Sequence, residues 1–314
     1  MSQEPVTRVL VTAASGAVAR HLIARLRAGG VAVTAAAREQ VAGLPPDVRT
    51  VAVGTVDGDT SWGAALTGVS HVVHAAALTT IAPDDDEAEF DMVNHRGTRA
   101  LAEQAASAGV RRFIQISTAA VAGRRSGKAP IAPDGVTAPG NAYARSKLAA
   151  EAALWEISDR TRLEVVVVRP PRIIWPALKG NLRLFERLIG RGVPLPLGGI
   201  RDNARDNVSP DNLIAIIEAC LTSPAAAGHV FFATDDDPLS TRALAERIGA
   251  RLGRRARLVS LPPAVLRAVV AIMPARLLGG LNRQEMVSEL LDDFRLDVRP
   301  TRERLNWRPE PGTL

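Results

Sequence analysis

Tyr143 and Lys147 are the residues whose types and spacing point most directly to chemistry. Two residues four apart on a helix share one face and reach a common ligand. A phenol is a weak acid, with a reference pKa of about 10, and a nearby ammonium favours its phenolate, so the pair suits proton transfer. Lysine also has hydrogen-bond donors for a sugar hydroxyl. Composition sharpens the point. The 314-residue chain has 39 Lys+Arg, yet only three are lysine (Lys128, Lys147, Lys179), and Tyr143 is its one tyrosine. A chain this rich in Ala, Gly, Pro and Arg disfavours both residue types, and the pair is present in spite of that bias.

Two further sites could join the pair. A short apolar run at residues 8–12 opens into Val11-Thr-Ala-Ala-Ser-Gly-Ala-Val-Ala19. A strand, a small-residue turn and a helix in that order suit a dinucleotide pyrophosphate resting on the helix N-terminus. Of three customary glycines only Gly16 is present; Ala13 and Ala19 hold the outer positions, and a Cβ at Ala13 narrows the approach of backbone to phosphate. The next apolar run ends in Thr34-Ala-Ala-Ala-Arg38 and lacks the carboxylate that binds a free ribose 2′-hydroxyl. Arg38 offers a partner for a 2′-phosphate instead, so the expected cofactor is NADP(H) in preference to NAD(H). Ser117-Thr118 follows another apolar run, where a hydroxyl can fix the orientation of a carbonyl oxygen.

These groups need a common edge. Val/Ile-rich runs at residues 8–12, 31–36, 50–53, 71–75, 112–117 and 163–169 alternate with helical patterns, among them residues 87–108, ended by Gly109, and 143–160. Continuous apolar strands between helices predict a parallel sheet covered on both faces. That is an α/β, doubly wound (Rossmann) architecture with its ligand beyond the carboxyl ends of the strands. After Arg169, prolines and glycines break the pattern; a helix at 211–221 and a strand at 229–233 return, and the tail from Pro238 reads as helical. The expected division is a dinucleotide-binding domain of residues 1–170 plus about 205–234, and a smaller, mostly helical substrate lobe of residues 171–204 plus about 235–314.

The chain resembles the extended short-chain dehydrogenases/reductases of the nucleotide-sugar epimerase/dehydratase type. The resemblance rests on residues 12–19, His74-Ala-Ala-Ala77, Asn94-His-Arg-Gly-Thr98, Ile116-Ser-Thr118 with Gly123, Tyr143 to Lys147 and Arg169-Pro-Pro171, in that order. It implies Tyr143 as acid/base, Lys147 as its electrostatic and ribose partner, and Thr118 as the hydroxyl that orients the carbonyl. It implies a cofactor site of Thr12, Ala13, Ser15, Gly16, Ala17, Val18, Arg38, Ala75, Ala76, Asn94, Ser117, Tyr143, Lys147 and Pro170. Asn94 also takes the family's structural and water-relay position. In the second lobe it implies Asn181 and Arg205 as contacts to a nucleotide diphosphate and its ribose. Ile174-Trp175 and Asn207-Val-Ser-Pro210 depart from the family pattern where the substrate pocket is expected.

Other classes fit less well. The net charge of +6 comes from arginines spread along the chain among acidic residues, with no aromatic-studded basic stripe for nucleic acid. The apolar stretch at residues 261–281 is interrupted by Arg267, Pro274 and Arg276, so no membrane span is expected, and the chain reads as soluble and cytoplasmic. His71, His74 and His95 lack metal-ligand spacing, and the runs 84–86 and 235–237 of aspartate read as loop tips. One cysteine, Cys220, leaves no disulfide framework. The leading function is hydride transfer at a carbinol or carbonyl carbon of a nucleotide sugar by a homodimer. The alternatives are an NADPH-dependent ketoreductase of a hydrophobic substrate and a non-redox or regulatory NADP-binding protein.

Overall fold

The computed structural model describes residues 8–79, 86–127, 129–178, 180–274 and 283–311. Its strands are β1 (Arg8–Thr12), β2 (Ala32–Ala37), β3 (Arg49–Ala52), β4 (His71–His74), β5 (Arg112–Ile116), β6 (Glu164–Arg169), β7 (Arg172–Ile173), β8 (Asn207–Val208) and β9 (His229–Phe232). Seven of them form one parallel sheet in the order β3-β2-β1-β4-β5-β6-β9, with β7 and β8 paired beside it. The winding reverses between β1 and β4, which leaves a crevice at their carboxyl ends. The valine run shows why the pattern was legible. Val165 to Val168 are all fully buried, and a period of two sends them alternately to opposite faces: Val166 and Val168 to one core, Val165 and Val167 to the other.

Helices α1 (Ala17–Ala28), α2 (Gly63–Leu66), α3 (Glu87–Phe90), α4 (Gly97–Ser107), α5 (Ala142–Arg160) and α7 (Pro210–Thr222) lie along the sheet. Asp86 caps α3 by accepting from Ala88 N. A π-helical turn, Asp91–Arg96, joins α3 to α4, so the predicted helix at 87–108 runs through with one wide turn. Gly97 follows that turn. A Cβ there would stand 2.9 Å from Val56 Cγ1 and 3.3 Å from Asp57 N, so glycine lets the helix close on the loop after β3.

Proline and glycine spacing after Arg169 predicted no regular element, but α6 (Gly180–Gly190) forms there. Its Leu182 and Ile189 are buried against α8 (Thr241–Arg251), within a separate cluster that also takes Leu266 and Val270 of α9 (Pro263–Ile272) and Met286 and Leu290 of α10 (Arg283–Leu291). Packing of that apolar stripe outweighs the breakers at its ends. The last helix, α11 (Arg299–Leu305), leaves this cluster: Leu305 and the following Trp307 pack with α7 in the sheet core. Among the described residues, no helix is long and apolar enough to cross a membrane.

Candidate active site

The small-residue turn stands at the carboxyl end of β1. Ala13 adopts φ +53°, the left-handed region that disfavours a Cβ, and Gly16 N closes the turn on Ala13 O at 2.7 Å. Gly16 begins α1 with no side-chain cap, so first-turn N–H groups, including those of Ala17 and Val18, remain open to an anion. The groove above them, about 380 Å³, is lined by Ala13, Ser15, Gly16, Arg38, Trp62 and Ala76 among others. Arg38 is exposed at the end of β2, and its guanidinium makes no hydrogen bond or ion pair among the described residues.

Thr12 closes the junction of β1 and β4 instead of offering a free hydroxyl. Its Oγ1 accepts from Ala75 N and Ala76 N, both at 3.0 Å, and lies 3.0 Å from His74 Nδ1. On the far side His74 Nε2 meets Thr98 Oγ1 at 3.1 Å, and Thr98 donates to Asn94 O at 2.6 Å. Burial pushes His74 down to about 3, with the Lys147 ammonium adding to the effect, so the ring is neutral. Asn94 itself brackets the chain after β4: its Oδ1 accepts from Leu78 N at 2.7 Å, and its Nδ2 donates to Leu78 O and Ser146 Oγ, each at 3.0 Å. It thereby ties the π-helical turn to α5.

Asn141 decides where α5 starts. Its Oδ1 accepts from Ala144 N at 2.8 Å and caps the helix just before Tyr143. Tyr143 is hydrogen bonded to Thr118, and its ring edge packs on Phe90 at 6.3 Å. The geometry brings Thr118, Tyr143 and Lys147 together as expected, but the electrostatics differ from a simple ammonium-lowered phenol. Burial pushes Tyr143 up to about 12, opposed by the Thr118 hydrogen bond. Lys147 is fully buried and, among the described residues, its Nζ has no hydrogen-bond partner; burial brings it down to about 8 against the pull of Glu151. A buried, unpartnered ammonium is costly. Together with the uncapped α1 and the groove, it fits a dinucleotide whose ribose hydroxyls take the lysine donors.

Other expected contacts are engaged elsewhere. Ser117 Oγ is bonded to Glu151, and Pro170 O accepts from Ala119 N at 2.8 Å. Asn181 belongs to the first turn of α6, with its side chain outside the described residues. Arg205 is buried and donates from Nη1 to Ser288 O at 3.2 Å and Asp292 O at 3.0 Å, and from Nη2 to Glu289 at 2.9 Å. Ile174 belongs to the second core, and Trp175 sets its edge on His21 of α1, so neither lines the pocket beside Thr118. That pocket, about 200 Å³, is lined by Thr118, Arg124, Arg172, Arg205, Asp206 and Glu289 among others. Arg172 pairs with Glu289 at 2.8 Å and Arg124 with Glu285 at 2.6 Å. Sequence reading missed Arg124, Arg172 and both glutamates. Two arginines among 36 give no signal; the i,i+4 spacing of Glu285 and Glu289 on one helix face was the only one.

Such an edge belongs to the short-chain dehydrogenases and epimerases, and residues 9–232 match the model of the NAD dependent epimerase/dehydratase family. The chain belongs to that family and is an oxidoreductase or epimerase of its type. Over 313 residues it is 32% identical to UDP-glucose 4-epimerase of Vibrio cholerae, covering 98% of this chain and 92% of that protein. It is 27% identical over 267 residues to a Stigmatella aurantiaca enzyme, 4-hydroxy-2-methyl-3-oxo-4-farnesyl-3,4-dihydroquinoline-1-oxide ketoreductase, covering 83% and 78%. The solved structure of MoeE5 with UDP-glucose and NAD shares the fold, with a TM-score of 0.75 at 23% identity over 98% of this chain and 94% of that one.

Proposed function

We propose that this enzyme transfers hydride at a carbinol or carbonyl carbon of a nucleotide sugar, with Tyr143 as acid/base. The observation that carries the reading is the buried, unpartnered Lys147 ammonium one turn beyond the Tyr143–Thr118 hydrogen bond. Bound nicotinamide supplies the hydride chemistry. Lys147 holds a ribose and offers positive charge to the phenolate; Thr118 donates to the substrate oxygen; Tyr143 takes or returns the hydroxyl proton. Full burial of Lys147 strengthens its pull on the half-buried phenol. NADP(H) is the proposed cofactor, supported by the unpaired Arg38 on the groove. The two-lobed division, a homodimer and a cytoplasmic location complete the reading.

The charged pocket supports an anionic substrate. Arg124, Arg172 and Arg205 reach this space beside Ala120, Pro171 and Phe294, and their cations suit a nucleoside diphosphate better than a farnesyl chain. The ketoreductase reading shares Tyr143 and Arg38 and would set an apolar substrate against Pro171 and Phe294, leaving the three arginines unused. Tyr143→Phe tests the proposal: turnover should fall by about 10²–10⁴ with the fold retained. Activity at the wild-type level would remove Tyr143 from the mechanism.

A further inference from the structure

Below Lys147 lies a second layer that the reaction as described leaves unused. Glu151, one turn further along α5, is fully buried. Its carboxylate accepts from Ser117 Oγ, from Arg169 Nε at 3.1 Å and from Arg169 Nη2 at 2.5 Å. Arg169, at the end of β6, is anchored in turn by donating to Pro133 O at 3.0 Å. A buried ion pair of this kind adds little stability over an apolar pair of the same volume. Its electrical effect on its neighbour is a different matter.

Lys147 and Arg169 are two buried cations around one carboxylate. Arg169 and Ser117 hold the Glu151 carboxylate by three hydrogen bonds, and it acts on Lys147 through space, with Nζ unbonded among the described residues. Among the described residues, the neutral His74 of β4 also faces Lys147, and Tyr143 lies one turn before it on α5. We propose that Glu151, held in place by Ser117 and Arg169, is a positioning residue that keeps Lys147 an ammonium while leaving its donors free for the reacting edge. A direct Lys147–Glu151 bond would give the charge but take one of three donors and turn Nζ toward Glu151; no carboxylate at all would leave the donors but lose the charge. Arg169 is what separates the two effects. The consequence for turnover rests on the Tyr143/Lys147 reading, whereas the charge state of Lys147 does not.

The composition makes the test direct, because lysine labelled with ¹³C at Cε yields signals from only three residues. Lys147→Met assigns the Lys147 signal by its loss, and pH titration by NMR reads the midpoint. In Glu151→Gln, two buried cations remain without a counter-ion, and the Lys147 midpoint should fall by at least one pH unit, a tenfold loss of proton affinity. In Arg169→Gln, Glu151 turns its charge wholly to Lys147, and the midpoint should rise. In Glu151→Gln/Arg169→Gln, one charge of each sign is gone and the midpoint should return toward wild type. Circular dichroism confirms the fold of each variant, and Arg169→Gln decides the matter if Glu151→Gln does not fold. An unchanged Lys147 midpoint in a folded single variant, or shifts of the same sign in both, would overturn the proposal. Wild-type turnover by Lys147→Met would instead overturn the catalytic reading and leave the titration result standing.

Discussion

Thr12 donates its hydroxyl proton to His74 Nδ1 across 3.0 Å, because the Thr12 oxygen already accepts from Ala75 N and Ala76 N. The tautomer follows from the network. Nδ1 is the acceptor, so Nε2 carries the proton and donates to Thr98, which passes its own to Asn94 O. The neutral ring thereby links the first and fourth strands to the turn that carries Asn94.

This linkage predicts acid sensitivity. Burial lowers His74 to about 3 and His71 to about 4, both below the ordinary 6.5. Below pH 6.5 the unfolded chain takes protons that the folded chain refuses, so stability falls as pH drops toward 4 by about 1.4 kcal/mol per unit for each ring. Asp206, raised to about 6, acts oppositely: its contribution is present below 3.8 and lost as pH rises through 6. The two histidines outweigh it. Urea unfolding at pH 7, 6 and 5 should show the loss, and His74→Gln should lower stability at pH 7 while flattening the slope; an unchanged slope would contradict the assignment.

Arg38→Ala should weaken NADPH binding by about 10–100-fold, the loss of a charge-assisted hydrogen bond, and leave NADH unchanged. Calorimetric titration with both dinucleotides measures it. Equal losses for the two would remove Arg38 from cofactor selection.

Ala13 holds φ +53° at a cost of about 1–2 kcal/mol. Ala13→Gly relieves that strain but adds about 0.5–1 kcal/mol of chain entropy to the unfolded state. The expected outcome is a gain of up to about 1 kcal/mol in denaturant unfolding, with dinucleotide affinity equal or tighter.

Arg172 and Arg205 line one pocket yet should respond differently. Arg172→Ala should raise KM for an anionic substrate about tenfold and lower stability by about 1 kcal/mol, through the lost bonds to Asn207 and Glu289. Arg205→Ala takes from Asp292 O its side-chain donor and from Glu289 a cation, while Ser288 O keeps Asp292 N, and should lower stability by about 2–3 kcal/mol. Thermal denaturation beside steady-state kinetics separates the two.

The parallel sheet was legible because burial on both faces demands unbroken valine and isoleucine, as in residues 165–168, and that demand is local in sequence. The i,i+4 placement of Tyr143 and Lys147 was legible for the same reason: helix geometry alone puts them on one face. The α6 stripe was hidden by the prolines and glycines around it, since its partners on α8 and α10 lie far along the chain.

By itself, then, the sequence determined the sheet, the helix that carries the acid/base pair, the small-residue turn and, through the order of its motifs, the family. Each element depends on neighbours within a few residues. Tertiary structure alone decided the electrostatic state of the site. It buried Lys147 above Glu151 and Arg169, fixed the His74 tautomer, and tied Arg205 to α10 at the wall of the pocket beside Thr118. A charge feels every group within several ångströms, wherever in the chain that group lies, and no local pattern records that sum.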